Sequence, residues 1–222
     1  MKILYVVTSA VLLCVATAWA ATCSNYGRET LCTLQATKDV MLECRPGNKN
    51  YYDYLIVGKH PQFSKKRFLI QFEDIPSTCQ RVKWAKMYLY FWYAHKASWQ
   101  SVQQAPYITR ELKVHQVKKS WSESQATTTN RFNGIRWSRS YLAIDGSDAV
   151  SYSQGRDVVM YPGQPSRYVE FDVTEVARNW QSGEQNYGLL VWATNENEEG
   201  RDLRFYSRER STQRPLITVS CT

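Results

Sequence analysis

The stretch Trp84–Tyr93 constrains this chain most. Ala85, Met87, Leu89 and Phe91 alternate without a break against Lys86, Tyr88, Tyr90 and Trp92. A helix would scatter both sets around its circumference, whereas a strand sends them to opposite faces. The aliphatic set therefore needs a second layer of structure to bury it. The other set is a cation followed by three rings.

Similar strand signals recur along the chain. They fall at 39–43, 54–57, 65–72, 112–117, 157–161 and 167–171, with turn chemistry such as Arg45-Pro-Gly-Asn-Lys-Asn50 and Pro162-Gly-Gln-Pro165 between them. Three more runs close the chain, at 187–193, 202–207 and 215–220, and read together as a closing sheet. On the middle one, Leu203, Phe205 and Ser207 oppose Arg204, Tyr206 and Arg208. One helix is expected near 173–181, because Val173, Val176, Ala177 and Trp180 recur at spacings of three and four and Gly183 follows as a stop. Residues 94–110 form a long polar excursion, and 125–156 read as short strands joined by irregular loops. No period holds over 21–38, which reads as a Cys-bearing lead-in to a single domain at 39–222. The expected class is all-β: a jelly-roll-like antiparallel β-sandwich with one short helix.

The N-terminus sets the compartment. An apolar run from Ile3 to Ala18 leads into Ala18-Trp19-Ala20, a small-x-small cleavage site, so residues 1–20 read as a secretory signal peptide. The expected product is secreted and extracellular, with no transmembrane segment. The formal charge of +8 favours acidic partners. Secretion turns that preference away from nucleic acid and toward acidic polysaccharide or matrix glycan. Cys14 leaves with the leader, so Cys23, Cys32, Cys44, Cys79 and Cys221 remain. Disulfides are the default outside the cell, and an odd count leaves one thiol free or available for a disulfide-linked dimer. No metal is expected, since there is no C-x-x-C and no paired histidine, and no cofactor motif is present.

One family resemblance adds to this. Asp39-Val40, Asn50, Leu55-x-Val57-Gly58, Arg67-x-Leu69-x-x-Phe72, Ile75-Pro76 and Ala85-x-Met-x-Leu89-Tyr90 occur in order. Val117-x-x-x-Trp121-x-Glu123, Phe171-Asp-Val-Thr174 and Trp180-x-x-Gly183 follow. Then come Asn186-Tyr-Gly-Leu-Leu190, Phe205-Tyr-Ser-Arg-Glu209 and Arg214-Pro-Leu216. The chain resembles the DNRLRE-type β-sandwich domain, related to carbohydrate-binding modules of secreted proteins. The resemblance implies a binding or adhesive role without catalysis. Glu73 in place of an Asp, the long 94–110 excursion and the extra cysteines depart from that pattern.

The candidate ligand platform is Lys86, Tyr88, Tyr90 and Trp92, extended by Arg204, Tyr206 and Arg208. Sugar rings stack their C–H faces on aromatics, and cations pair with uronate or sulfate. The competing reading covers these rings with other structure and ties Arg208 and Glu209 into local ion pairs. Lys65-Lys66-Arg67 reads as a solvated edge. Residues 195–202 partly mimic a calcium loop, but Tyr206 stands where the closing Glu is needed, so they read as a hairpin loop. His60, His95 and His115 lie in unrelated contexts, and Glu123 and Asp172 read as turn or cap residues rather than a catalytic pair. For the disulfides, antiparallel pairing of first and last strands would bring Cys32 or Cys23 near Cys221 and leave Cys44 to meet Cys79; Cys23–Cys32 is the alternative. The expected function is non-catalytic binding of acidic polysaccharide. The alternative is a structural protein of a skeletal, shell or adhesive matrix that packs or crosslinks through other matrix proteins.

Overall fold

A computed structural model of the chain describes residues 21–44, 47–59, 61, 64–94, 108–154, 158–161 and 163–222. The strands are β1 (Thr22–Tyr26), β2 (Glu29–Glu43), β3 (Tyr54–Val57), β4 (Lys66–Phe72), β5 (Val82–Ala94), β6 (Arg110–Gln116), β7 (Asn130–Phe132), β8 (Ile135–Arg136), β9 (Val158–Met160), β10 (Arg167–Asp172), β11 (Leu189–Ala193), β12 (Leu203–Tyr206) and β13 (Leu216–Cys221). One helix, α1 (Thr174–Gln181), lies between β10 and β11. All strand pairings between named strands are antiparallel. The all-β sandwich expected from the alternation is the observed architecture.

Two layers share one long strand. In the first layer β5 is central: β10 pairs along one edge, and β13 and β12 pair along the other. β13 passes on to β2 and then β1, and β12 passes on to β3. The second layer runs β2-β4-β11-β6-β9. β2 belongs to both, and its register shifts between Ala36 and Lys38. One extra residue there bends the strand from one layer into the other.

The core lies between the layers. Ala85, Met87, Leu89 and Phe91 of β5 are buried with Phe68, Ile70 and Phe72 of β4 and Leu189 and Val191 of β11. Helix α1 closes one end with Val176, Ala177 and Trp180. Its start is fixed by Asp172, whose Oδ1 accepts the Thr174 N–H at 2.9 Å. A second apolar cluster sits on the outer face of the second layer: Val40, Leu42, Leu69 and Leu190 are roofed by Trp121, Ala126, Trp137 and Leu142. That roof is the 117–150 segment, which buries its Trp121 and Trp137 in this way.

Several expectations are corrected. The strand signal begins before Asp39, since β1 and the first half of β2 form a hairpin within the lead-in. β1 is exposed throughout, so it has no buried face to impose a hydrophobic period. The three C-terminal runs do not form a sheet of their own: β11 lies in the second layer, while β12 and β13 both flank β5. Residues 195–202 consequently cross between layers and are not a hairpin loop. The excursion at 94–110 lies mostly outside the described residues, as do His60 and His95.

The disulfides are Cys23–Cys32 and Cys79–Cys221, with Cys44 free and exposed. Cys23 and Cys32 are directly opposed in the β1–β2 register. Cys221 is drawn to Cys79 because β13 pairs with β5 near Val82, and the chain just before β5 carries Cys79. Expected pairings of Cys44 with Cys79, and of Cys221 with Cys23 or Cys32, are therefore not formed.

Glycine explains part of the Asn186–Leu190 motif. Gly188 has φ +80°, and a Cβ there would lie 2.8 Å from Gln71 Cα and closer still to the Ile70 carbonyl. Asn186 holds the approach in place: its Nδ2 donates to the Phe72 carbonyl at 3.0 Å, and its Oδ1 accepts the Gly188 N–H at 3.1 Å. Only glycine fits this close passage of two backbones.

Candidate functional site

The outer face of the β5 layer carries the predicted platform. Because β5 alternates strictly, burying Ala85 to Phe91 obliges Lys86, Tyr88, Tyr90 and Trp92 to face outward. β10 and β12 then add their own outward residues. Tyr168 is opposite Tyr90 and Glu170 is opposite Tyr88 in the β10–β5 register. Tyr206 stacks on Tyr90 with centroids 5.0 Å apart.

The rings form one continuous array. Tyr88 meets Tyr168 edge-on at 6.5 Å, and Tyr168 meets Tyr90 edge-on at 5.2 Å. Trp92 meets Tyr206 at 5.8 Å. Such spacings are favourable for aromatic pairs and hold each ring in place. Tyr206 is buried by its neighbours, while Trp92 and Tyr168 keep 39% and 45% of their surface exposed. A second row runs alongside: Tyr51, Tyr52 and Tyr54 follow one another at centroid distances of 4.5 and 5.1 Å.

Cations edge the array. Arg204 lies 4.9 Å over the Tyr54 ring, and Arg210 lies 4.2 Å over Tyr206. Arg210 also donates to Asp53 at 2.7 Å. Lys86 sits 5.7 Å over Trp84 and is paired with Glu170 at 2.7 Å. The Glu170 hydrogen bond raises the Lys86 pKa, so this lysine stays charged but already has its counter-ion. Burial, with Glu170 adding to it, raises Tyr88, and burial with Tyr90 raises Tyr168. Tyr52 is pushed up to about 12, first by its hydrogen bond with Tyr51. These phenols therefore remain neutral over the physiological range.

Arg208 is the predicted residue that the fold takes elsewhere. β12 ends at Tyr206, so the strand parity that grouped Arg204, Tyr206 and Arg208 stops before it. Its N–H donates to Asp39 Oδ2 at 2.7 Å, and its guanidinium forks onto Glu123 at 2.7 and 2.9 Å. Glu123 also accepts the Asp39 N–H at 2.9 Å. This Arg208–Glu123–Asp39 clamp ties β2, the 117–150 roof and the turn after β12 together. Burial pushes the Asp39 carboxyl up to about 7 against the Arg208 N–H, which pulls the other way.

Other charged candidates are structural in the same sense. Lys66 and Arg67 are buried, not a solvated edge, because β4 lies between β2 and β11. Arg67 forks onto Glu196 at 2.8 and 2.7 Å and donates to the Tyr141 and Leu142 carbonyls. Burial alone would raise Glu196, but Arg67 and Lys65 overturn that and hold it below the ordinary range. Lys66 reaches Asp202 at 3.1 Å. Glu196 and Asp202 of the calcium-like stretch are thus engaged by β4, while Glu199 pairs with Lys59 at 3.0 Å. Arg110 is fully buried and donates to the carbonyls of Lys59, Asn195, Glu198 and Arg201, stapling the same crossing loop to β3. Gly58 makes room for it: at φ +98°, an added Cβ would sit 2.6 Å from Arg110 Nε. His115 is buried with Nδ1 2.7 Å from the Val150 carbonyl. Among the described residues no group of acids, histidines or cysteines could hold a metal ion, and no helix is long and apolar enough to cross a membrane.

Sequence reasoning missed Tyr168, Arg210 and the Tyr51–Tyr54 row. Tyr168 alternates with Val169 and Phe171 within β10, which was a usable signal, but nothing in the sequence placed β10 beside β5. No protein-family model and no curated protein matches this chain.

Proposed function

We propose that the outer face of the β5 layer binds a polysaccharide chain, in a secreted protein that performs no chemistry on it. The observation that carries this reading is the continuous array Tyr88–Tyr168–Tyr90–Tyr206–Trp92, interlocked and open at Trp92 and Tyr168. From Tyr88 to Trp92 the array extends roughly 13 Å along β5 at the usual rise per strand residue, enough for several points of contact with one chain. The tyrosines supply stacking surfaces and hydroxyl groups together. Arg204 and Arg210 border the rings, Arg210 already paired with Asp53, and the formal charge of +8 favours a chain bearing carboxylate or sulfate groups. The resemblance to DNRLRE-type domains points the same way. Two disulfides are compatible with an extracellular setting.

Chromatography on immobilised alginate, heparin and a neutral polysaccharide at low salt tests this. The acidic columns should retain the protein, and Trp92→Ala with Tyr168→Ala should release it at lower salt. Passage of the wild-type protein through all three columns would sink the reading.

The matrix alternative has one observation of its own, the exposed free Cys44. It predicts a covalent dimer on non-reducing gels that disappears on reduction and in Cys44→Ser. A protein that stays monomeric after mild oxidation would count against that crosslink.

A further inference from the structure

The opposite layer carries a cleft of different character. The β7–β8 hairpin and the turn after it enclose about 400 Å³, lined by Arg136, Arg139, Thr129, Asn130 and Ser140 beside the buried Trp137. No carboxylate lines it. Its walls are fixed: the Trp137 N–H donates to the Thr129 carbonyl at 3.0 Å, its indole N–H to the Thr127 carbonyl at 3.0 Å, and the Tyr141 N–H to the Thr128 carbonyl at 2.6 Å. Trp137 also anchors the hairpin in the outer apolar cluster of the second layer.

The two guanidiniums are poorly compensated. Arg136 is exposed, and its side chain has no hydrogen bond or ion pair among the described residues. Arg139 has only a loose contact with Asp145, at 3.5 Å, and is 76% exposed. Lys86 and Arg210 on the ring face, by contrast, each hold a carboxylate at 2.7 Å. Nearby Asp148 cannot serve the cleft, because it is buried and accepts from Ser138, Ala143 and Lys119.

We propose that this cleft is a second, oxyanion-binding site that takes a sulfate or carboxylate group of an acidic polysaccharide. The oxyanion chemistry rests on the cleft alone; the polysaccharide class rests on the function proposed above. Two forked guanidiniums match the oxygens of either group, and the hydroxyls of Thr129 and Ser140 can donate to them. The cleft lies on the outer side of the second layer and the rings on the outer side of the first, so the two sites face away from each other.

Side-chain NMR of Arg136 and Arg139 tests this, with inorganic sulfate, a sulfated disaccharide and a uronate disaccharide as separate titrants. The Nε–Hε signals of both arginines should shift and saturate, and a disaccharide should bind about tenfold tighter than inorganic sulfate, a difference well within reach of added contacts. Arg136→Ala with Arg139→Ala should reduce retention on the acidic columns without changing the melting temperature, since both side chains are exposed. The absence of shifts with all three titrants overturns the site. Saturation by inorganic sulfate with no gain from either disaccharide overturns its assignment to a polysaccharide. The Trp92→Ala/Tyr168→Ala protein should keep these arginine shifts, so failure of the ring face and failure of this cleft are read separately.

Discussion

The Cys79–Cys221 bridge should contribute far more to stability than Cys23–Cys32, although both are single covalent links. Cys79 and Cys221 are 142 residues apart, so the bridge restricts most of the unfolded chain. The chain-entropy relation assigns such a closure about 5 kcal/mol at room temperature. Cys23 and Cys32 are 9 residues apart, and the same relation assigns that bridge about 2.5 kcal/mol. Packing widens the gap, because Cys79 and Cys221 are both buried in the core whereas Cys23 is exposed. Paired Cys→Ala variants of each bridge, unfolded in urea and followed by tryptophan fluorescence, give the comparison. The long-range variant should lose at least about twice as much stability as the hairpin variant. Val at 79 and 221 should recover the packing part and leave the chain-entropy part. Equal losses, or a larger loss from the hairpin bridge, would refute the argument.

Two carboxylates shape the pH profile in separate windows. Folding raises Asp39 from 3.8 to about 7, so between those values the folded state holds a proton that the unfolded state has lost. Stability should therefore fall as pH rises through that window, by roughly 4 kcal/mol, and level off above it. Asp39→Asn should flatten this slope in urea midpoints; an unchanged slope would contradict it. Glu196 is held below 4.5, so its contribution is complete above that value and is lost as pH falls through its folded pKa. Arg67→Met should cost about 3–5 kcal/mol, because it leaves Glu196 buried without its fork. It should also free Tyr141 and Leu142, which are held at φ 67° and 65° and whose carbonyls Arg67 binds. Retention of wild-type stability and of amide protection at 141–143 would argue against this. Gly188→Ala should destabilise by more than about 1 kcal/mol through both its positive φ and the Ile70–Gln71 clash, read as a lowered urea midpoint; a neutral result would show that the two backbones can separate.

The legible parts of this protein were those set by local periodicity. The β5 alternation gave both its core face and its ring face, and the α1 spacing gave the helix to within a residue. The closing motif marked a real constraint, but the reason, a backbone passage at Gly188 over Ile70, involves residues far apart in sequence. Long-range pairing was not legible. Arg208 shares strand parity with Tyr206, yet its partner Glu123 lies 85 residues away and turns it off the platform. Lys66 and Arg67 read as a surface run because charge ordinarily means solvent, and the acids that allow their burial arrive from residues 196 and 202. Tyr168 and Arg210 joined the candidate site for the same reason: a strand neighbour and a turn brought them there. Cysteine spacing carried no information on which of Cys23, Cys32 and Cys79 would meet Cys221.

The ring face is tested most directly by calorimetric titration of the chain lacking residues 1–20 with a purified acidic oligosaccharide. Two stacking contacts are worth about 1–3 kcal/mol together, so Trp92→Ala with Tyr168→Ala should weaken binding by about tenfold or more. The variant should still fold but melt at a lower temperature, because it loses the ring contacts to Tyr88, Tyr90 and Tyr206, so binding is compared where both proteins are folded. Binding that is unchanged in this variant, in a wild-type protein that does bind, would contradict the account.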